Sequence, residues 1–188
     1  MALKKITDRS YRGVSGRVAV ILSEFHPKIS DGLLNGLERV FEGIEGLQWQ
    51  VHRVPGAFEI PLMAQRLACL VAVHDDGQEE PMFDVIVALG CIVKGDTYHF
   101  EMVANECARG CMEVMLEEDI PVVMEVLAPY SLKEGLKRSS GEHNHGKLAA
   151  YTALEWLNLM KDDKDDKDNN DDNDEYEMGS ISSPLGSL

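Results

Sequence analysis

The sequence has few basic residues and contains no long apolar run. Its 18 lysines and arginines stand against 33 aspartates and glutamates, which gives a net charge of −15. A surface that binds a nucleic-acid backbone has to be basic, so this balance argues against nucleic-acid binding. No run approaches the roughly 18 apolar residues of a membrane-spanning helix. We therefore expect neither nucleic acid nor membrane as a partner.

The sequence also lacks a C-x-x-C pair, although it has 4 cysteines, each inside an apolar or helical pattern. Such cysteines are usually free thiols in a reducing compartment. Cys107 and Cys111 are four residues apart, but no nearby histidine completes a set of metal ligands. The basic N-terminus lacks the apolar centre of a signal peptide, and a remnant transit segment is the alternative. We expect a cytoplasmic protein with no metal site.

The acidic residues are concentrated near the C-terminus. Residues 161–177 hold ten aspartates and glutamates and three lysines, and little after Met160 can be buried. A segment of this composition stays disordered because burial cannot offset the entropy of folding. The sequence therefore predicts a flexible arm (1–14), one domain (15–160) and a disordered acidic tail (161–188).

Four short apolar runs are continuous rather than alternating, which is typical of buried parallel strands. Amphipathic segments with helical spacing separate them. Strands that alternate with helices form an open parallel sheet with helices on both faces. The sequence therefore predicts a three-layer α/β/α fold with a four-stranded parallel sheet. The predicted strands are 17–23, 47–54, 83–93 and 120–127, and the predicted helices are 29–43, 59–73, 98–118, 131–140 and 145–160.

Ligands of open parallel sheets bind outside the carboxyl ends of the strands. The segments that follow the four predicted strands are chemically distinctive: they read "EFHP", "PGAFE", "KGDTYHF" and "APYS". The loop "HDDGQEEPM" lies at the opposite edge, so we interpret it as a solvated insertion without a catalytic part. These four segments are where we expect the functional site.

The "KGDTYHF" turn lies between a strand and a helix. Backbone N–H groups at a helix start can bind an anion, here from Asp96 and Thr97 with the Thr97 hydroxyl as a further donor. Ordinary capping of the helix is the alternative. His99 follows in the first turn, where an imidazole can exchange a proton near pH 7. A surface or packing role is the alternative for a single histidine.

The other segments add groups suited to a polar, phosphorylated ligand. Glu59, after a Pro-Gly turn, can accept hydrogen bonds from ligand hydroxyls, or it stabilises the first turn of a helix. Phe25 offers a ring that can stack on a heterocycle, or it is a core aromatic residue. Arg138, between two helices, suits a phosphate monoester, or it is a surface cation. The pattern is specific only when the segments are taken together.

Together these segments resemble the lumazine synthase family. The resemblance spans about residues 15–160 and implies a flavodoxin-like arrangement of the sheet. It implies condensation of 5-amino-6-(D-ribitylamino)uracil with 3,4-dihydroxy-2-butanone 4-phosphate, the penultimate step of riboflavin biosynthesis, without metal or cofactor. The segments that carry it are "VPGAFEIP" (54–61), "ALGCIVKGDTYHFEMVANE" (88–106), "IPVV" (120–123) and "LKRSSGEHNHGKLAA" (136–150).

The resemblance also implies a role for each site residue. His99 would be the general acid and base. Asp96 and Thr97 would hold the phosphate, with Arg138 gripping it from a neighbouring subunit. Phe25 would stack on the pyrimidine. The remaining contacts would be to the ribityl chain, from Ala57, Phe58 and Glu59, and to the ring pocket, from Cys91, Ile92, Val93 and Met124.

The sequence departs from the family pattern at three positions and in one turn, where "VLAPYS" replaces a Thr-rich segment. Met124 stands where the family often has Phe, His145 where a Lys often helps the phosphate, and Lys94 where an Arg is common. A flexible thioether packs less rigidly against a ring than Phe does. These departures concern substrate affinity more than the type of reaction.

The resemblance implies a homo-oligomer: a pentamer with shared active sites and, in some members, a sixty-subunit shell. Riboflavin synthase, which uses the lumazine product, is the further protein partner that it implies. Two alternatives remain open. One is an archaeal-type riboflavin synthase, which shares the fold, and the other is a non-catalytic shell protein that binds flavin or lumazine.

Overall fold

The structure, a computed structural model, describes residues 11–74 and 76–171, with side chains up to Lys161. Its main sheet has four parallel strands. This confirms the predicted four-stranded parallel sheet. The strands are β1 (Gly16–Ser23), β2 (Leu47–Val54), β5 (Val85–Cys91) and β6 (Val122–Leu127). Their order in the sheet is β2-β1-β5-β6.

Helices cover both faces of this sheet, as the sequence predicts. The helices are α1 (Pro27–Phe41), α2 (Ile60–Ala68), α3 (His99–Glu117), α4 (Leu132–Arg138) and α5 (His145–Asp171). The side chains of a strand alternate between its two faces. In β1, Val20 packs on the side of α1 and α5, whereas Ile21 packs on the side of α2 and α3. The fold is therefore a three-layer α/β/α arrangement.

The two faces have separate apolar cores. On one face, Leu37 of α1 and Leu154 of α5 are fully buried against the sheet. On the other, Ala64 of α2 and Cys107 of α3 are fully buried. Since both faces of β1 and β5 are covered, their sequences are continuously apolar rather than alternating.

The predicted helix over 59–73 is wrong in its second half. Helix α2 ends at Ala68, and the chain then forms an antiparallel hairpin of β3 (Val71–Val73) and β4 (Glu79–Pro81). The β-branched valines of β3 favour a strand. Glu80 of β4 accepts a hydrogen bond from the Arg17 side chain at 2.7 Å. The segment predicted to be a solvated insertion therefore contains a strand, and an ion pair links that strand to the start of β1.

The described chain also differs from the predicted boundaries at both ends. Tyr11 and Val14, which the sequence places in the flexible arm, are buried in the core cluster of α1 and α5. Helix α5 continues to Asp171, past its predicted end at Met160. The chain divides into one compact unit up to Asn158 and a second from Leu159. The rest of the predicted arm and tail, 1–10 and 172–188, lies outside the described residues.

Candidate active site

A groove of about 670 Å³ opens at the carboxyl ends of three strands. The strands β1 and β5 are neighbours in the sheet, and from them the chain proceeds in opposite directions, to β2 and to β6. Such a switch point leaves a crevice between the two diverging connections. Nine predicted site residues line the groove: Phe25, Ala57, Phe58, Glu59, Cys91, Ile92, Val93, Thr97 and His99.

The segment after β2 forms one wall. Gly56 has an extended backbone, and Ala57–Glu59 form a single 3-10 turn that leads directly into α2. A Cβ on Gly56 would lie 3.1 Å from a Glu59 carboxylate oxygen, so this carboxylate folds back over the glycine. Ala57 is buried, whereas the Phe58 side chain is largely exposed. This wall therefore offers both a carboxylate acceptor and an aromatic surface.

The segment after β5 forms the floor. The Ile92 N–H donates to the Leu127 carbonyl at 2.8 Å, and the Lys94 N–H donates to the Pro129 carbonyl at 3.0 Å. The backbone thus stays aligned with the end of β6 for three residues beyond β5. Burial raises the pKa of the Cys91 thiol to about 11. At neutral pH this thiol is therefore protonated and offers an apolar surface rather than a nucleophile.

The start of α3 bears on the choice between capping and anion binding. The helix is preceded by Tyr98, and it has no side-chain cap. Within the part of the chain that the structure describes, neither the Asp96 carboxylate nor the Thr97 hydroxyl accepts a hydrogen bond from a backbone N–H of the first turn. Helix starts leave such N–H groups unpaired, with a partial positive charge. The first turn of α3 can therefore receive an anion at the point where Thr97 and His99 line the groove.

The ring of Phe25 stands at the mouth of the groove and is 72 % exposed. It meets the imidazole of His26 edge-on, with ring centroids 5.1 Å apart. A core role for Phe25 is thereby excluded in the described chain. The exposed face of the ring is free to stack on a planar ligand.

His26 also lines the groove, although no pattern in the sequence predicted it as a site residue. Burial lowers its pKa, so the imidazole is neutral at pH 7. Its position directly after Phe25 in "EFHP" was the available signal. On α3, Met102 and Val103 also line the groove, one helical turn beyond His99. Helical spacing from His99 could have identified both.

Three predicted site residues do not line the groove of the single chain: Asp96, Met124 and Arg138. Arg138 is the last residue of α4, is exposed, and donates to the Glu134 carbonyl at 3.4 Å. Met124 lies on β6 with its side chain partly exposed. His145, which begins α5, is held by Glu125, with 2.5 Å between its Nδ1 and the carboxylate. In this chain its imidazole therefore faces a carboxylate of its own subunit.

Among the described residues, no group of three or more His, Cys, Asp or Glu side chains could hold a metal ion. The same part of the chain contains no helix that is long and apolar enough to cross a membrane. The 4 cysteines are free thiols.

Fold and groove together define an α/β protein with an open groove at the switch point of a parallel sheet. A family model described as 6,7-dimethyl-8-ribityllumazine synthase matches residues 15–161. Curated proteins of that name are similar over most of their length. The protein of Thermococcus kodakarensis is 34% identical over 157 residues, which are 84% of this chain and 94% of the relative. That of Stenotrophomonas maltophilia is 39% identical over 150 residues, 78% of this chain and 90% of the relative.

A third relative of the same name, from Xanthomonas campestris pv. campestris, is 39% identical over 153 residues, which are 80% of this chain and 93% of the relative. The chain belongs to the 6,7-dimethyl-8-ribityllumazine synthase family.

Proposed function

We propose that this chain condenses 5-amino-6-(D-ribitylamino)uracil with 3,4-dihydroxy-2-butanone 4-phosphate to give 6,7-dimethyl-8-ribityllumazine, phosphate and water. This transferase reaction is the penultimate step of riboflavin biosynthesis. The observation that carries the proposal is the groove itself. Residues from three separate segments, after β1, β2 and β5, share one cavity of about 670 Å³. Family membership specifies the reaction.

The uracil ring is proposed to stack on the exposed face of Phe25 and to lie over the backbone of residues 91–93. Stacking on a flat heterocycle suits an aromatic ring that is free on one face. The ribityl chain, which carries several hydroxyl groups, extends along the wall at Ala57–Glu59. There Glu59 accepts hydrogen bonds from hydroxyl donors, and Phe58 covers the carbon backbone. The floor and the wall thus recognise different parts of one substrate.

The phosphate of the second substrate is proposed to bind at the start of α3. The Thr97 hydroxyl and the backbone N–H groups of Asp96 and Thr97 act as donors, supported by the partial positive charge of the helix start. Asp96 itself does not line the groove, although its neighbours Gly95 and Thr97 do, so only its backbone N–H is proposed as a donor. In this proposal the phosphate lies beside His99.

His99 is proposed to move protons during the condensation. The amine of the uracil attacks the ketone carbonyl, and loss of water from the adduct forms an imine. Loss of phosphate then requires removal of a proton from the carbon next to the imine, and ring closure releases a second water. An imidazole can accept the carbon-bound proton and donate one to a leaving hydroxyl. Holding the two reactants together supplies a further part of the acceleration.

A homo-oligomer, a pentamer in particular, is proposed to complete the site. Arg138 is exposed at the end of α4, away from its own groove, so it is available to a neighbouring copy. Apolar side chains such as Met112 and Leu116 of α3 are exposed on the single chain and suit burial between copies. The short 139–144 linker permits a sixty-subunit shell. We also propose riboflavin synthase as a protein partner and the cytoplasm as the location of this protein.

The test is to mix the purified full-length protein with both substrates and to follow lumazine absorbance and fluorescence. We expect lumazine only when both substrates are present. Conversion of lumazine alone to riboflavin would favour the rival riboflavin synthase. Tight lumazine binding without any turnover would favour the non-catalytic shell protein.

A further inference from the structure

Lys94 is the first residue of the "KGDTYHF" turn (94–100), which is proposed to bind an anion, and it contacts three parts of the molecule. Its Nζ donates to the Glu101 carboxylate at 2.7 Å. The same Nζ lies 5.5 Å from the ring centroid of Phe100 and 5.6 Å from that of Tyr130. Its backbone N–H donates to the Pro129 carbonyl at 3.0 Å. Lys94 thus links the end of β5 to the first turn of α3 and to the segment after β6.

Without Lys94, the segment 92–101 would carry acidic side chains and no Lys or Arg. Between residues 92 and 101 Lys94 is the single Lys or Arg, whereas Asp96 and Glu101 are both acidic. Glu101 lies in the first turn of α3, where a carboxylate is attracted by the same helix start that would bind a phosphate. An uncompensated Glu101 would therefore repel a bound phosphate group.

The pKa values of Lys94 and Glu101 are shifted in the directions that favour the charged form of each side chain. The hydrogen bond to Glu101 raises the pKa of Lys94, and the hydrogen bond to Lys94 lowers the pKa of Glu101. Both side chains are partly exposed, 40% for Lys94 and 33% for Glu101, so solvent weakens their attraction. The ammonium also lies over two aromatic rings, which favours a cation at this place.

We propose that Lys94 is a positioning residue for the phosphate-bearing substrate: it neutralises Glu101 and holds the anion-binding turn against the segment after β6. The proposal rests on the proposed function, since it concerns the phosphate end of the same groove. Lys94 does not line the groove itself, so it acts through Glu101 and the turn rather than by touching the substrate.

The proposal predicts an unusual double-mutant result. Lys94→Met should weaken binding of inorganic phosphate about three- to fivefold, the upper range for an exposed charge pair. Adding Glu101→Gln to Lys94→Met should restore most of the loss, because the repelling carboxylate is then gone. Lys94→Arg, which keeps the cation, should bind phosphate as the wild type does. A lysine that only supports the fold would give a double mutant no better than Lys94→Met.

Isothermal titration calorimetry of the full-length protein with inorganic phosphate provides the measurement, independently of turnover. In the enzymatic assay, Lys94→Met should raise the KM of the butanone phosphate and leave the KM of the ribitylaminouracil unchanged. Arg109→Met and Arg109→Met with Glu113→Gln are matched controls. They disrupt an exposed ion pair on the same helix, about 15 Å beyond His99, and both should bind phosphate normally.

The outcomes separate this inference from the proposed function. If the wild type makes no lumazine but the phosphate series behaves as described, the inference stands and the proposed reaction fails. If the wild type makes lumazine but the double mutant binds phosphate no better than Lys94→Met, the inference is overturned. It is equally overturned if the wild type binds no phosphate, or if Lys94→Met raises both KM values to the same extent.

Discussion

Two histidines line the groove, and their surroundings suit them to different tasks. His26 closes the first turn of α1, because its carbonyl accepts hydrogen bonds from the N–H groups of Ile29 and Ser30. Its imidazole is neutral at pH 7 because burial lowers its pKa. In that form it carries one donor and one acceptor. His99 instead begins α3, beside the turn proposed to hold phosphate. His99 therefore remains the residue that we propose for proton transfer at the reacting carbons.

Replacement of His99 by Ala should slow lumazine formation about a hundredfold or less. General acid–base catalysis is typically worth about 10²–10⁴-fold, and orientation of the two substrates, which remains, supplies much of the acceleration. Single-turnover measurement of lumazine absorbance tests this. His143→Ala, which removes an exposed histidine outside the groove, is the control. Complete loss of activity in a folded His99→Ala protein would contradict this division of labour.

Glu125 should make stability depend on pH. Burial raises its pKa, and the contact with His145 opposes the rise. The folded state therefore holds the Glu125 proton more tightly than the unfolded state does. This contribution stabilises the fold at low pH and is lost as pH rises from the unfolded pKa of about 4.3 through the raised folded pKa.

Glu125→Gln should remove this loss, so that the free energy of unfolding falls less with rising pH across that window. Urea unfolding at a series of pH values measures it. Glu45→Gln, at an exposed position, serves as the matched control and should keep the wild-type slope. An unchanged slope in Glu125→Gln would show that His145 fully compensates the burial.

At the scale of elements, α5 is anchored to α1 by a buried amide. The Asn144 Nδ2 donates to the carbonyls of Gly32 and Ser139, both at 2.8 Å, and its Oδ1 accepts from the Gly146 N–H at 2.7 Å. A Cβ on Gly36 would collide with this amide, and one on Gly146 with the backbone of α1. The close approach of the two helices therefore requires small residues on both sides.

Asn144→Ala should destabilise the protein by about 2–3 kcal/mol, because it leaves buried carbonyls and an N–H without partners. Urea unfolding gives the difference in the free energy of unfolding. Asn158→Ala, at an exposed position of the same helix, should have little effect. Equal effects of the two substitutions would show that the Asn144 hydrogen bonds add nothing net.

For the whole molecule, the central question is whether one chain is a complete catalyst. Among the residues that the structure describes, those lining the groove include Thr97 and His99 but no Lys or Arg that could bind a phosphate. Arg138 is exposed on α4 and is proposed to enter a neighbouring copy's groove. A functional unit made of several copies follows from this proposal.

Arg138→Ala should weaken binding of the butanone phosphate at least about tenfold, since charge-assisted hydrogen bonds contribute roughly 1.5–3 kcal/mol. Binding of the ribitylaminouracil should be unchanged. Lys137→Ala, the neighbouring exposed cation, is the control. Steady-state kinetics with each substrate varied gives the two KM values.

Mixed oligomers test directly whether two neighbouring copies of the chain share one active site. Arg138→Ala and His99→Ala proteins, unfolded together in equal amounts and refolded, should regain up to about a quarter of the wild-type sites, because random neighbours then pair a native His99 with a native Arg138. Light scattering confirms the assembly. An active monomer, or a mixture no better than its components, would contradict the shared site.

Much of the fold could be predicted, because the spacing of apolar residues along the sequence indicates which side chains are buried. β2 has its predicted bounds, and α3 differs from its prediction by one residue at each end. The helix predicted over 59–73 failed after Ala68, because apolar residues of β3 continue the helical pattern. These residues form a strand rather than a helix because they pair with β4, several residues further along the chain.

By itself, the sequence determined which segments form the sheet and which chemical groups follow each strand, since both depend on neighbouring residues. The tertiary structure alone decided which groups share a groove. Phe25, Glu59 and His99 meet because β1, β2 and β5 run parallel and end at one edge of the sheet. Arg138 stays outside that groove, because α4 carries it beyond the end of β6. Which of these residues come close together is set by the packing of helices on the two faces of the sheet. No local sequence pattern contains that information.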